Sequence, residues 1–180
     1  MSVASGERTH WADDIHALFR AHKITLVSTV PDAGHQRLIE LCQADTGIRF
    51  VTLTTEEEGV ALAAGAWLGG VRSALLIQSS GVGNIVNMLA LPRICHLPFM
   101  MLVTMRGEFG EFNSWQVPMG ESTPAVLAAS GVQVLRADTP DQVGPTVEGA
   151  SQLAWQSRRR VAVLLSQRLI GAKRFEEASR

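Results

Sequence analysis

Apolar positions along this chain follow two different periods. Trp11, Ile15, Leu18 and His22 fall on one face at helical spacing, which predicts a first helix over about residues 10–22. Short continuous apolar runs then alternate with segments of helical spacing. The runs of strand length are residues 24–30, 50–53, 74–78, 99–104, 132–135 and 161–165. The later helical segments are one marked by Leu38, Leu41 and Cys42 and closed by Gly47, and residues 56–69, 84–95, 123–129 and 140–157.

Continuous apolar strands that alternate with helices are typical of a mainly parallel sheet covered by helices on both faces. The 180 residues are enough for one ordinary domain and too few for two large ones. The pattern therefore predicts a single three-layer α/β domain over residues 1–180 with a mainly parallel six-stranded sheet. Residues 1–23 are expected to form a helical N-terminal extension. Ligands of such sheets bind at the carboxyl ends of the strands.

Composition narrows the function classes. The 16 Lys and Arg nearly balance the 17 Asp and Glu, so no overall field would recruit nucleic acid or an anionic membrane. No apolar run could span a bilayer and the start lacks the apolar core of a signal peptide, so we expect a cytoplasmic protein. Cys42 and Cys95 have no zinc-like spacing, so no metal site is expected in this chain. Hydrophobic residues reach 46% and charged residues only 18%, which predicts apolar surface for another subunit.

Residues 56–69 join an acidic cluster to a helix of small and apolar residues. Thr55 and Glu58 fit a capping box, and acids are favoured at the positive end of a helix, so helix capping is one explanation of the cluster. Capping does not require the small residues that follow, which let another backbone or a flat ligand approach closely. A carboxylate in so apolar a setting is a strong partner for a ligand ring nitrogen. The small residues are Ala61, Ala63, Ala64, Gly65, Ala66, Gly69 and Gly70.

Two further motifs come directly after predicted strands. Residues 78–84 read Gln-Ser-Ser-Gly-Val-Gly-Asn and predict a glycine turn with exposed amide donors at the start of a helix. The motif is also similar to a dinucleotide fingerprint, but it lacks the third glycine of that pattern. Residues 106–119 are rich in glycine, glutamate and aromatic residues, and they predict a long functional loop.

Taken together, these motifs resemble the alpha subunit of sulfopyruvate decarboxylase, a thiamine-diphosphate-dependent family. Residues 78–84 match its Gln-x-Ser-Gly-x-Gly-Asn turn fully, and Val30, Pro31 and Asp32 match the Val-Pro-Asp turn that it shares with phosphonopyruvate decarboxylases. The resemblance covers roughly residues 24–170. It implies a pyrimidine-binding domain of a carboxy-lyase that converts sulfopyruvate to sulfoacetaldehyde, a step of coenzyme M biosynthesis.

The resemblance also implies roles for individual residues. Glu56 lies nine positions before Gly65, where the family has the catalytic glutamate that bonds the N1′ nitrogen of the cofactor's aminopyrimidine. The residues expected at the cofactor are Glu56, Pro31, Ser79, Ser80 and Gly81. The substrate candidates are Asp32, His35, Asn84, Arg106 and Gln116.

Two of the substrate candidates have structural alternatives. Arg106 either pairs with an anionic substrate group through its planar fork or anchors its loop through an ion pair with Glu108 or Glu111. The family has His or Trp before the Arg-Gly pair, whereas this chain has Met105, which leaves the substrate open. His35 either meets the substrate or lies on a helix surface.

The chain contains no Gly-Asp-Gly segment, with which the family holds the cofactor's diphosphate and magnesium on a second domain. The resemblance therefore implies a separate beta subunit that carries this domain, in a heterotetramer or a larger assembly, with a small 2-oxo acid as substrate. Three alternatives stay open. They are a subunit of phosphonopyruvate or another 2-oxo-acid decarboxylase, a non-catalytic assembly or regulatory paralogue, and a Rossmann-like nucleotide-binding domain.

Overall fold

Six parallel strands form the centre of the computed structural model, which describes residues 10–172. The strands are β1 (Ile24–Thr29), β2 (Arg49–Thr52), β3 (Arg72–Gln78), β4 (Phe99–Thr104), β5 (Gln133–Ala137) and β6 (Arg160–Leu165). Their order is β2-β1-β3-β4-β6-β5, and every neighbouring pair is parallel. The chain moves outward from β1 to β2 and then returns to the other side of β1 with β3. The crevice between the carboxyl ends of β1 and β3 is therefore the point where the strand order reverses.

Helices cover both faces of this sheet, as the sequence predicts. They are α1 (Trp11–Ala21), α2 (Gln36–Ala44), α3 (Glu56–Leu68), α4 (Ser79–Ile85), α5 (Ala90–Ile94), α6 (Val117–Ala129), α7 (Pro140–Trp155) and α8 (Gln167–Ile170), with 3-10 turns at Ala33–His35 and Ser114–Gln116. One hydrophobic cluster joins α1, α2 and α7 to the sheet, and a second joins α3, α4 and α6 to the opposite face. The predicted three-layer α/β architecture is confirmed.

The first helix is part of the core. Trp11, Ile15 and Phe19 of α1 are buried and pack in the cluster shared with α7. The Arg37 guanidinium of α2 donates two hydrogen bonds to Asp13 of α1, at 3.0 and 2.7 Å. The expected extension over residues 1–23 thus includes a core helix, while its first nine residues lie outside the described part.

The predictions for residues 78–95 were wrong in detail. No glycine turn precedes a helix there, because α4 begins at Ser79 directly after β3 and includes Gly81 and Gly83. The single helix expected over 84–95 is replaced by α4 and α5. Pro92 explains the break, since its ring excludes a continuous helix by clashing with the carbonyl four residues earlier. Pro92 is instead accommodated in the first turn of α5.

The long loop expected over 106–119 is shorter than predicted. A 3-10 turn forms at Ser114–Gln116, and α6 begins at Val117 rather than at residue 123. Pro118 occupies the first turn of α6, where the missing N–H of proline costs nothing. Among residues 10–172, no helix is both long enough and apolar enough to cross a membrane.

Candidate functional site

The motif residues converge on the carboxyl edge of the sheet. Asp32 follows β1, Glu56 follows β2, Ser79 follows β3 and Arg106 follows β4. Because β3 lies between β1 and β4, the segments after these three strands are direct neighbours. The structure therefore brings together the turn at residues 30–32, helix α4 and the loop after β4, as the position of each motif behind a strand predicts.

Glu56 is the first residue of α3, and its half-buried carboxylate rests against α4. Asn84 donates a hydrogen bond from Nδ2 to Glu56 Oε2 at 2.8 Å. Within residues 10–172, no hydrogen-bond donor contacts the other oxygen, Oε1. A Cβ at Gly81 would overlap this carboxylate, so only glycine at position 81 allows its close approach. Glu56, Gly81 and Asn84 thus form one cluster.

Glu58 caps α3, which separates the roles of the three acids. The Glu58 carboxylate accepts hydrogen bonds from the backbone N–H and the hydroxyl of Thr54, both at 2.9 Å. These bonds, the backbone one first, hold the pKa of Glu58 below its ordinary value. The Thr55 hydroxyl instead donates to Glu57, so the expected capping box of Thr55 and Glu58 is only half formed. Glu58 thus binds Thr54 before the helix start, whereas Glu56 binds Asn84 of α4, so the two acids have different contacts.

Asp32 connects the ends of β1, β3 and β4 by hydrogen bonds at the same edge. Gln78 Nε2 donates to Asp32 Oδ1 at 2.8 Å, and the Thr104 hydroxyl donates to Oδ2. Ser80 in turn donates from its hydroxyl to Gln78 Oε1 at 2.7 Å. Pro31, beside Asp32, is exposed at the surface. The Asp32 carboxylate therefore has a fixed position at the crevice between β1 and β3.

His35 is fully buried, so its expected alternative place on a helix surface was wrong. Its Nε2 lies 3.3 Å from the carbonyl oxygen of Ile77 and 3.2 Å from that of Leu102, which requires a proton on Nε2. Burial lowers the pKa of His35, so the ring is neutral. Nδ1 has no hydrogen-bond partner within residues 10–172. The ring thus links β3 and β4 below the edge and is enclosed there.

Arg106 is a buried anchor of its loop, which is the second of its two expected roles. Its guanidinium donates two hydrogen bonds to the Glu111 carboxylate, both at 2.6 Å. The Arg106 guanidinium, as the largest cause, lowers the pKa of Glu111 to about 2. Glu108, the other expected partner, pairs instead with Arg136 at 2.7 Å.

The backbone at Arg106 is fixed on both sides. Ser79 is fully buried, and its hydroxyl accepts the Arg106 backbone N–H at 3.1 Å. A Cβ at Gly107 would overlap the backbone of Gln116, and one at Gly120 would overlap the Arg106 carbonyl. The end of β4 is therefore pressed between the starts of α4 and α6, and glycine is required at both contacts.

Gln116 lies where the loop joins α6, and its side-chain oxygen is buried. This Oε1 has no hydrogen-bond partner among the described residues. A buried oxygen without a donor is a position where a ligand group is favourable. No cluster of three or more His, Cys, Asp or Glu side chains able to hold a metal ion occurs within residues 10–172.

Sequence analysis missed two residues of this edge. Thr104, the last residue of β4, donates to Asp32, and Gln167, two positions beyond β6, contacts the loop of Arg106. Both are polar residues at or just after the end of an apolar strand. The rule that ligand sites lie at the carboxyl ends of parallel strands identifies such positions, but their hydrogen-bond partners are distant in the sequence.

The architecture agrees with the similarity of the chain to known proteins. No protein family model matches it. It is 33% identical over 143 residues to the sulfopyruvate decarboxylase subunit alpha of Methanococcus maripaludis, which covers 79% of this chain and 86% of that protein. It is 34% identical over 155 residues to the subunit of the same name of Methanothermobacter thermautotrophicus, covering 86% and 94%.

Two further similarities cover a smaller part of the other protein. A phosphonopyruvate decarboxylase of Streptomyces viridochromogenes is 38% identical over 101 residues, which is 56% of this chain and 25% of that protein. A solved structure of the 2-oxoglutarate:ferredoxin oxidoreductase of Magnetococcus marinus matches with a TM-score of 0.67 at 15% identity. That match covers 89% of this chain and 29% of the oxidoreductase chain, and it concerns the fold alone.

Proposed function

The chain belongs to the family of sulfopyruvate decarboxylase alpha subunits, and from this premise we propose that it is the alpha subunit of a thiamine-diphosphate-dependent 2-oxo-acid decarboxylase. Its proposed substrate is sulfopyruvate, which yields sulfoacetaldehyde and carbon dioxide. One observation carries the proposal: the Glu56 carboxylate lies against Gly81 with one oxygen held by Asn84.

The residues around Glu56 fit the aminopyrimidine of the cofactor. Gly81 leaves the carboxylate uncovered by a side chain, and Oε1 has no donor from the described residues. In the proposed role, Glu56 shares a proton with the N1′ nitrogen, while Asn84 keeps the carboxylate oriented. Thiamine diphosphate, when bound, supplies the electron-accepting ring that decarboxylation of a 2-oxo acid needs.

The residues of this chain that contact the substrate are proposed to be neutral or acidic. Arg106 already donates its planar fork to Glu111, so we assign it to holding the loop rather than to binding the sulfonate. Asn84 and Gln116 are the proposed polar contacts of the substrate, and Asp32 is the proposed acid beside it. We propose that a cation for the sulfonate comes from the partner subunit.

The partner is proposed to be a beta subunit that carries the diphosphate and magnesium site, in a heterotetramer or larger assembly. The outward face of α3 supports such a contact. Leu68 is 78% exposed, and Ala61 and Gly65 are exposed on the same helix. An apolar helix face open to water favours an interface close to Glu56. Ala63 and Ala64, by contrast, are buried in the core of this chain, so only part of the small-residue stretch is available to a partner.

Reconstitution tests this function. The chain is purified alone and together with a beta subunit, and carbon dioxide release is measured with thiamine diphosphate, magnesium and sulfopyruvate, phosphonopyruvate or pyruvate. We expect no turnover by the chain alone and the highest kcat/KM for sulfopyruvate with the pair. A pair that prefers phosphonopyruvate would change the proposed substrate. Full activity of the chain alone, or no activity of the pair on any 2-oxo acid, would contradict the proposal.

A further inference from the structure

Gln167 is a buried polar residue beyond the last strand that no motif of the sequence includes. It is the first residue of α8, two positions after the end of β6, and it is 1% exposed. Its neighbour Ser166 caps this short helix by accepting the N–H of Arg168. The backbone of Gln167 is therefore held by β6, by the cap and by a contact with Glu108 of the loop.

The Gln167 side chain makes three hydrogen bonds to the loop after β4. Its Oε1 accepts the backbone N–H groups of Glu108 and Phe109, at 3.1 and 3.0 Å, which occupies both lone pairs. Its Nε2 donates to Glu111 Oε2 at 2.9 Å. The backbone N–H of Gln167 also donates to Glu108 Oε1 at 2.9 Å. One side chain thus binds the loop at three successive places.

The bonded loop is the segment that leads from Arg106 to Gln116. Glu111 receives the Gln167 amide on the same oxygen that receives Arg106 Nε, so Gln167 supports the buried ion pair directly. The Arg106 backbone in turn contacts Ser79 at the start of α4. Gln167 is therefore connected by direct hydrogen bonds, through Glu111 and Arg106, to the start of α4 at the edge of the site.

We propose that Gln167 is a positioning residue that holds residues 106–113 in the conformation required for substrate binding beside Gln116 and α4. This inference rests on the proposed function for its kinetic consequence, whereas its structural consequence is independent of that function. Gln167 is not proposed to contact the substrate or the cofactor. Its loss should therefore raise KM for the 2-oxo acid more than it lowers kcat.

Two substitutions and one control separate this role from general stability. Gln167→Met keeps the length and apolar volume but removes every side-chain hydrogen bond. Gln167→Glu keeps both acceptor positions, but at neutral pH its carboxylate faces that of Glu111 and repels it. The control is Gln152→Met on α7, because Gln152 also donates to a glutamate, at 2.7 Å to Glu148, but on the outer surface.

Hydrogen exchange of the loop amides is the first measurement, made on the chain without a partner. We expect the N–H groups of Glu108 and Phe109 to exchange roughly 5-fold faster in Gln167→Met, because each loses a bond worth about 1 kcal/mol. Exchange in β4 and in the Gln152→Met control should stay unchanged. Unchanged exchange at Glu108 and Phe109 in Gln167→Met would overturn the proposal whether or not the complex is a decarboxylase.

Steady-state kinetics of the complex with its beta subunit is the second measurement. We expect KM for sulfopyruvate to rise roughly 10-fold in Gln167→Met while kcat changes less than about 3-fold. In Gln167→Glu, KM should return toward the wild-type value as pH falls, because the protonated carboxyl can again donate to Glu111. A fall in kcat alone, or normal KM at every pH despite faster exchange, would overturn the positioning role.

Discussion

The Glu56 carboxylate lies so close to the α-carbon of Gly81 that a Cβ at position 81 would overlap it. Glu56 begins α3 and Gly81 lies within α4, so the contact joins helices that follow two different strands. Glu56 and Gly81 are 25 positions apart in the sequence. Nothing in the residues next to either one predicts a contact with the other. The contact gives a structural reason for glycine inside a helix, where it is otherwise unfavourable.

Gly81→Ala should therefore move the Glu56 side chain and lower decarboxylation by at least ~100-fold, the size of a lost acid–base group. The matched control is Gly83→Ala in the same helix, where the added Cβ would lie 3.4 Å from Met119 Sδ in ordinary contact. Both variants should fold, as judged by thermal unfolding, and only Gly81→Ala should lose carbon dioxide release. Equal activities would show that the position of Glu56 over Gly81 is not required.

The exposed face of α3 provides a test of the partner surface. Nothing lies within 4 Å of a Cβ added at Gly65, so Gly65→Leu should leave the free chain folded and stabilise it by up to about 1 kcal/mol. If the beta subunit packs on this face, the same change should weaken assembly by more than ~10-fold, since bulk would enter a close contact.

Gly149→Leu on α7 is the control for this prediction. A Cβ there also meets nothing within 4 Å, but α7 covers the opposite face of the sheet. Both variants should be compared with wild type by titration with the beta subunit and by sedimentation. Equal affinities of Gly65→Leu and wild type would remove α3 from the proposed interface.

Arg106 and Glu111 should behave as a buried pair rather than as a substrate clamp. Arg106→Met leaves the Glu111 carboxylate, which is 3% exposed, without its main partner. The free energy of unfolding should therefore fall by about 3 to 5 kcal/mol. The double variant Arg106→Met/Glu111→Gln should recover much of this loss, because no uncompensated charge remains. Urea unfolding measures both. Full stability of Arg106→Met would contradict the anchoring role.

The same pair predicts a pH dependence with a defined sign. The pKa of Glu111 falls from an ordinary 4.5 to about 2 in the folded chain. Its contribution to stability is therefore complete above pH 4.5 and is lost as pH falls toward 2, with a total of roughly 3 kcal/mol. The stability difference between wild type and Glu111→Gln should shrink over this window. A difference that is constant between pH 7 and pH 3 would contradict the assignment.

The sheet could be predicted from the sequence because each strand contains a short apolar run, and some of these runs end at a polar residue. β3 and β4 are clear cases, since they end at Gln78 and Thr104, where the site begins. Helix boundaries were less predictable where small residues dominate. The segment around Gly81 is compatible with a turn or a helix, and only its packing against Glu56, a long-range contact, requires the helix.

The sequence was enough to place several candidate residues at one edge of the sheet, but not to give their contacts. Asp32 and Glu56 are polar residues a few positions beyond strands, and Asn84 lies in the helix that follows β3, which is enough to place them at one edge. The pairing of Arg106 with Glu111 is local to one loop, and the sequence left it open as one of two roles of Arg106. The burial of His35 depends on which strands become neighbours. Strand order is set by tertiary packing, and no local pattern in the sequence specifies it.

The role of Glu56 is tested most directly by Glu56→Gln in the assembled complex, with Glu58→Gln as the control. The measurements are exchange of the cofactor's thiazolium proton with deuterium and carbon dioxide release from sulfopyruvate. The amide keeps the shape of the side chain but cannot share a proton with N1′. We therefore expect both rates to fall by about 10²- to 10⁴-fold in Glu56→Gln and to stay near wild type in Glu58→Gln. Near-normal proton exchange and turnover in Glu56→Gln would contradict the account.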